Sequence, residues 1–205
     1  MTTPILYLAS ASPRRHEILQ QLGIAHQILH VPAPDGEDEP QLVHETAAEY
    51  VQRTALEKAI RATQWLAQTP MDAAKPAAHC NDLVLAADTT VILAGQVLGK
   101  PLDPAHAVQI LKQLSGQTHY VHTAVVLAYQ GRLLERVSIT EVKFSVLSDD
   151  TIGAYCNSNE PMGKAGAYGI QGRAAAFIES ISGSYTGVMG LPAFETCQLL
   201  EAVSG

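Results

Sequence analysis

The chain has 205 residues, of which 47% are hydrophobic and 16% are charged, so it can bury a core and is not a disordered or low-complexity chain. Its 13 basic and 20 acidic side chains give a net charge of −7. A protein that binds a nucleic-acid polymer carries a basic face, so we expect no such partner, whereas a small phosphorylated ligand needs only a few well-placed cations.

The first third of the chain predicts strand, helix, strand and long helix in that order. Ser12 and Pro13 supply an N-cap and a first-turn proline, and Thr46 caps the long helix. Apolar residues recur at helical spacing behind both caps. The predicted elements are strand 5–9, helix 13–22, strand 26–31, an acidic loop 32–40 and helix 47–67. Residues 68–81 contain two prolines and are predicted to be a mobile insertion without function.

The rest of the chain predicts a buried strand, a helix, a hairpin and a glycine-rich segment. Alternating strands and helices indicate an α/β fold with a mixed sheet, and no internal repeat is present. The predicted elements are strand 82–87 with its continuation 90–93, a turn at 95–96, helix 104–115, hairpin strands 118–129 and 133–147, a short helix from 149, a glycine-rich stretch 163–172, strand 174–181, a loop 183–190 and a closing helix from 192.

No run approaches the roughly 18 apolar residues of a membrane span, so no membrane partner is expected. The N-terminal apolar segment lacks the preceding basic residues of a signal peptide. The cysteines Cys80, Cys156 and Cys197 are far apart and form no CxxC pair, which indicates neither a disulfide framework nor a zinc knuckle. We therefore expect a cytoplasmic protein.

Ser10, Arg14 and Arg15 lie where the first strand ends and the first helix begins. A helix N-terminus favours anions, and arginine adds permanently charged bidentate donors, so this segment is a candidate phosphate site. The alternative is a capped helix with two solvated arginines. The GxxxxGK[ST] pattern of a P-loop is absent, and Ser10 lacks a GxSxG nucleophile elbow.

Asp88 is predicted to lie at the carboxyl end of a buried parallel strand, which is where open α/β sheets place ligands. Its carboxylate could bind a divalent metal or activate water, although an aspartate that begins a turn is common. Lys58 and Lys100 are candidates only if a phosphate binds, since isolated lysines are usually solvated.

The glycine-rich stretch 163–172 contains Gln171, whose amide offers the donor and acceptor that reading a nucleobase edge requires. The alternative is a flexible connector with a solvated glutamine. Acidic residues of the loop 32–40 could supply metal ligands, although a charge run is usually only solvated. His119 and His122 are three apart in a predicted strand and so face opposite sides, which argues against a metal site there.

Together these segments resemble the Maf family of septum-formation-inhibitor-like nucleotide pyrophosphatases. The resemblance covers nearly the whole chain and rests on the combination of four motifs: SxSPRR in LASASPRRHEILQQLG, ADT and GKP in LAADTTVILAGQVLGKPLD, and KAGAYGIQG. It implies a single domain over residues 1–205, with two lobes around a central cleft, an elongated sheet and a homodimer as an expected assembly. It also implies metal-dependent hydrolysis of nucleoside triphosphates, with Mg²⁺ or Mn²⁺ as the cation.

The resemblance assigns roles to nine residues of this sequence. Asp88 is the implied proton acceptor and metal ligand, and Glu37 of the acidic loop is the second implied metal ligand, with Glu39 as its alternative. The residues implied to bind substrate are Ser10, Arg14, Arg15, Lys58, Lys100, Thr89 and Gln171. The residue before Lys164 is Gly163, where the family commonly has aspartate, so any role of that carboxylate is absent here.

The glutamine of GIQG is similar to the branch of the family that hydrolyses dTTP and UTP, including modified uridine nucleotides. Arg14, Thr89 and Gln171 match the specificity positions of that branch. Two alternatives stay open: a pyrophosphatase of the 7-methyl-GTP type, and a regulator of cell division that acts by binding a partner.

Overall fold

The computed structural model describes residues 4–32, 40–68 and 82–203. Its strands in chain order are β1 (Leu6–Leu8), β2 (Gln27–Ile28), β3 (Leu83–Leu93), β4 (Gln96–Leu98), β5 (Thr118–Tyr129), β6 (Arg132–Phe144) and β7 (Ile178–Ser182). Its helices are α1 (Pro13–Gln21), α2 (Ala47–Gln68), α3 (Pro104–Leu114), α4 (Asp149–Cys156), α5 (Tyr185–Met189) and α6 (Ala193–Glu201). Two 3₁₀ helices cover Ala165–Ala167 and Arg173–Phe177.

Within these ranges the strands form one mixed sheet in the order β2-β1-β3-β5-β6-β7, and β4 pairs with β3. β1 runs parallel to both of its neighbours, β2 and β3, whereas the pairs β3–β4, β3–β5, β5–β6 and β6–β7 are antiparallel. The predicted α/β class with a mixed sheet and flanking helices is therefore confirmed. None of the helices in the described ranges has both the length and the apolar character needed to cross a membrane.

Helix α2 covers one face of the sheet with a narrow row of small side chains. Ala55, Ala59 and Ala62 are fully buried on this helix. The first two pack with Ala86 of β3 and Ala124 of β5. Because alanine is so small, the helix axis can lie close to the strands beneath it. The opposite face carries the larger core, which includes Phe144 and is closed by residues of α1, α3, α4 and α6.

The structure differs from the sequence predictions at five places. β3 runs without a break through Asp88, because it pairs with β5 from Val84 to Ile92. Ala94 and Gly95 both have positive φ, which is the geometry of a tight hairpin turn, so the chain turns back to form the unpredicted strand β4. The structure also shows β6 ending at Phe144, a 3₁₀ helix at the start of the predicted strand 174–181, and helix α5 inside the predicted loop 183–190.

Two predictions on domain organisation are not tested. The described structure ends at residue 68 and resumes at 82, so residues 69–81 of the predicted insertion lie outside the described residues. The two lobes also stay a prediction.

His119 is a buried titratable group in the larger core. It is fully buried, its Nε2 lies 2.8 Å from the Tyr168 hydroxyl, and it packs edge-on against Phe144. Within the described part of the chain, nothing hydrogen-bonds its Nδ1. Burial lowers the pKa of His119 to about 4, so the side chain is neutral in the folded protein near pH 7.

We expect His119 to make the fold less stable in acid. Between the folded pKa of about 4 and the unfolded value of 6.5, the unfolded state binds more protons, so stability falls as pH falls through that window. Lowering the pH from 7 to 5 should cost about 2 kcal/mol through this residue. Urea unfolding of the wild type and of His119→Gln at both pH values measures the difference. An equal pH dependence in the two proteins would contradict the assignment.

Candidate active site

A cavity of about 660 Å³ opens beside β3, where its parallel neighbour β1 stops. β1 ends at Leu8, opposite Leu85, while β3 continues to Leu93. The cavity is lined by the segment after β1, the start of α1, parts of α2 and β3, and the chain around 163–171 and 188–190. All the predicted site residues that the structure describes line this one cavity, namely Ser10, Arg14, Arg15, Lys58, Asp88, Thr89, Lys100 and Gln171.

Asp88 lies in the middle of β3 rather than at its end, so the predicted position was wrong although the residue does face the cavity. The parallel partner ends three residues earlier in register, at Leu85, which leaves this edge of β3 unpaired at Asp88. Asp88 Oδ1 lies 2.5 Å from the Nζ of Lys58 on α2. Both side chains are mostly buried, at 14% and 24% exposure, so this ion pair is held against the wall of the cavity.

The N-terminus of α1 opens onto the cavity without an anionic cap. Ser12 makes no side-chain capping bond, and the first turn contains no acidic residue. The Oγ of Ser10 instead accepts the backbone N–H of Ser12 at 3.1 Å and the Arg15 guanidinium at 3.2 Å. The helix therefore presents its positive end, with two arginines, to whatever occupies the cavity.

Carbonyl oxygens at the end of α5 hold the two guanidinium groups. Arg15 Nε donates to the Gly190 carbonyl at 2.7 Å, and Arg14 Nε donates to the Met189 carbonyl at 3.3 Å. A terminal nitrogen of Arg15 also lies 3.5 Å from the Thr89 hydroxyl. The fork of Arg15 is thus fixed at three points before any ligand binds, which lowers the entropy lost on binding.

Like charges meet in this cavity. Burial lowers the pKa of Arg15, which nearby Asp88 raises and Arg14 lowers further. Burial lowers the pKa of Lys100, and Arg15 adds to that effect. Burial and then Arg14 lower the pKa of Lys164. A lowered pKa means that the charged form of each side chain is destabilised. A polyanion bound among these side chains would stabilise their charged forms.

The glycine-rich stretch also lines the cavity, with Gly163, Lys164, Gly169 and Gln171 among its lining residues. The side chain of Lys164 lies along Gly169, where an added Cβ would come within 3.1 Å of Lys164 Cε and 3.4 Å of Gln171 Oε1. Gly169 therefore allows a cation and an amide to approach the same stretch of backbone.

Sequence reasoning missed two cations of the cavity, Arg61 and Lys164. Arg61 follows Lys58 by three residues on α2, and that spacing places two side chains on one helix face. Lys164 stood inside the quoted motif but was given no role. Glu37 and Glu39 lie outside the described residues.

The described residues fit a divalent cation only together with a phosphate ligand. Within the described ranges, no group of three or more histidine, cysteine, aspartate or glutamate residues could hold a metal. Asp88 is the carboxylate that lines the cavity in those ranges. Mg²⁺ commonly binds through one or two carboxylates plus substrate phosphates and water, so this donor set suits a cation that arrives with a polyphosphate.

Comparisons with known proteins give the family of the chain and several of its relatives. The family model described as Maf-like protein matches residues 5–203. A protein of Bordetella avium (strain 197N) named dTTP/UTP pyrophosphatase is 57% identical, over 97% of this chain and 94% of its own length. Proteins of the same name from Bordetella parapertussis and Nitrosomonas europaea are 56% and 48% identical, over 97% and 98% of this chain and 92% and 97% of their own lengths.

Proposed function

This chain belongs to the Maf family, and from that premise we propose that it hydrolyses dTTP and UTP to the monophosphate and diphosphate. The observation that carries the proposal is the meeting of six cations with Asp88 in one cavity, the cations being Arg14, Arg15, Lys58, Arg61, Lys100 and Lys164. A nucleoside triphosphate carries about four negative charges, and phosphoryl chemistry depends mainly on positioning and charge neutralisation.

In the proposed mechanism Asp88 accepts a proton from the attacking water. The water oxygen forms a bond to the α-phosphorus, and the bond from that phosphorus to the bridging oxygen of the β-phosphate breaks. The ion pair with Lys58 orients the carboxylate, because Lys58 holds one oxygen at 2.5 Å and leaves the other for water. A divalent cation, Mg²⁺ or Mn²⁺, held by Asp88 and the phosphates would supply further neutralisation of charge.

The arginines and lysines of the cavity hold the triphosphate and its leaving group. Negative charge grows on the departing diphosphate, so donors fixed before the reaction stabilise the transition state more than the bound substrate. Arg15 is fixed before substrate binds, by bonds to Gly190, Ser10 and Thr89. Lys100 and Lys164 line the same cavity from its other walls.

The amide of Gln171 is proposed to recognise the pyrimidine. Uracil and thymine share an N–H between two carbonyl groups, whereas cytosine presents a ring acceptor beside an amino group. An amide with a fixed oxygen and nitrogen fits only one of these patterns. Thr89 lies on the same cavity, 3.0 Å from the Thr123 hydroxyl.

The test is a screen for released diphosphate over nucleoside triphosphates, with Mg²⁺, with Mn²⁺ and with a chelator. We expect dTTP and UTP to be the best substrates, with activity lost in the chelator and restored by either metal. Preference for a 7-methyl-GTP substrate would reassign the branch, and binding without release of diphosphate would contradict the enzyme assignment.

Gln171→Ala should reduce the preference for UTP over CTP more than it reduces the turnover number on UTP. We expect the ratio of the two kcat/KM values to fall about tenfold, since one or two hydrogen bonds to the base are lost. Steady-state kinetics on both nucleotides measures the ratio. A variant that keeps the wild-type ratio would remove the role given to this residue.

A further inference from the structure

The amide of Gln171, which is proposed to recognise the base, is not held in place by a hydrogen bond within the described ranges. Gln171 is exposed to the cavity. The position of this amide therefore depends on the backbone of its own loop, residues 169–173. A loop that shifts, or lets the amide turn over, could accept cytosine as well as uracil.

A buried tyrosine and a glutamate, neither of which lines the cavity, are linked by hydrogen bonds to that loop. Tyr155 of α4 is 3% exposed, and its hydroxyl donates to Glu160 Oε1 at 3.2 Å. The Glu160 carboxylate accepts the backbone N–H of Arg173 at 3.0 and 3.3 Å through its two oxygens. The contacts thus run from the helix, through the carboxylate, to the end of the loop that carries Gln171.

The start of the loop reaches the same tyrosine. The Gly169 backbone lies close enough to the Tyr155 hydroxyl to act on its pKa, which burial and Glu160 together raise. The hydroxyl is therefore protonated at neutral pH and can donate to Glu160. Glu160 thus bonds the backbone of Arg173, two residues after Gln171, and the Tyr155 hydroxyl lies near the backbone of Gly169, two residues before it.

Gly172 shows how closely the carboxylate lies against the loop. A Cβ at this position would come within 2.0 Å of Glu160 Oε1. The backbone of Glu160 is itself tied down, because its N–H donates to the Ser158 hydroxyl and its carbonyl accepts Lys164 Nζ of the cavity. The carbonyl of Glu160 thus holds Lys164, which lines the cavity, while its carboxylate holds Arg173 at the end of the loop that carries Gln171.

We propose that Tyr155 and Glu160 are positioning residues for base selection, which they serve by holding residues 169–173 so that Gln171 presents its amide in one orientation. This inference rests on the proposed function, since it concerns the base that Gln171 recognises. Neither residue lines the cavity, so they act on the substrate through the loop.

Kinetics on UTP and CTP with four variants tests the proposal. Tyr155→Phe keeps the ring and removes the hydroxyl, and Glu160→Ala removes the carboxylate. Each should lower the UTP-to-CTP ratio of kcat/KM about tenfold, the effect of one or two hydrogen bonds. Glu160→Gln keeps an acceptor oxygen and should restore most of the ratio.

Tyr120→Phe is the matched control, because Tyr120 also donates to a glutamate, Glu141 at 3.2 Å, outside the cavity.

A double-mutant cycle separates positioning from general destabilisation. Adding Tyr155→Phe to Gln171→Ala should leave the ratio where Gln171→Ala alone put it, because the tyrosine acts through that amide. A loss of stability alone would lower the rates on both nucleotides together and leave the ratio unchanged. An unchanged ratio in both Tyr155→Phe and Glu160→Ala, beside a lowered ratio in Gln171→Ala, would overturn the inference and keep the function. A wild type that releases no diphosphate from UTP would overturn both.

Discussion

Asp88→Asn is expected to lower the release of diphosphate from dTTP by at least about 10²-fold, because the proposed proton acceptor of the reaction is lost. The substitution removes one negative charge and keeps the shape of the side chain. An amide oxygen can still accept from Lys58, whose Nζ lies 2.5 Å from the carboxylate, so the fold should survive. The kcat on dTTP with Mg²⁺ present is the measurement, and thermal unfolding verifies the fold.

The matched control for Asp88→Asn is Asp103→Asn. Asp103 caps α3 by accepting the backbone N–H of His106 at 2.7 Å, and asparagine is an equally good cap. The control therefore removes the same charge outside the cavity and should keep wild-type kcat. If Asp88→Asn hydrolysed dTTP within about threefold of the control, Asp88 would not be the proton acceptor that general base catalysis requires.

Arg15→Met should give the second largest loss, about 10² in kcat, which is the usual effect of removing a preorganised charged donor. The guanidinium lines the cavity and is already bonded to Gly190 and Ser10, so little further order is lost when a phosphate binds to it. Arg15→Lys should recover little, because an ammonium cannot reproduce the planar fork. Single-turnover rates on dTTP separate this effect from substrate affinity.

Arg136→Met is the control for the loss of a guanidinium. Arg136 is exposed and donates to the Glu135 carbonyl at 2.9 Å, away from the residues that line the cavity. Its loss should leave kcat unchanged. Equal single-turnover rates on dTTP for Arg15→Met and Arg136→Met would show that the guanidinium of Arg15 has no part in the reaction.

The fold was predictable where the sequence carries local signals. The β5–β6 hairpin is marked by Gln130 and Gly131 between two β-patterned segments, and both residues have the positive φ of a tight turn. Gly95 likewise marked the turn before β4, which was predicted at 95–96 and lies at Ala94 and Gly95. The strand that follows this turn, β4, has only three residues and was not predicted. The polar run from Asp88 to Thr90 suggested the end of a strand, but pairing with β5 overrides that local preference.

The sequence predicted which residues belong to the site better than it predicted how they are arranged. Arg14 and Arg15 could be proposed from the strand–helix junction alone, whereas Lys58 and Lys100 depended on the family resemblance. The ion pair of Lys58 with Asp88 joins residues 30 positions apart, and only the packing of α2 on the sheet brings them together. The roles of Glu37, the homodimer, the location in the cell and the cell-division alternative stay predictions.

The small alanine side chains of α2 set the distance between Lys58 on this helix and Asp88 on the sheet. Since Ala55 and Ala59 flank Lys58 in sequence and touch the strand layer, any bulkier side chain there would lift the helix and pull the ammonium away from the carboxylate. Overpacking such a contact typically lowers the free energy of unfolding by about 1–3 kcal/mol. We expect the rate of hydrolysis to fall as well, because the ion pair would be broken. Substitutions meant to raise thermal stability should therefore avoid Ala55 and Ala59 and be made in the larger core on the opposite face of the sheet.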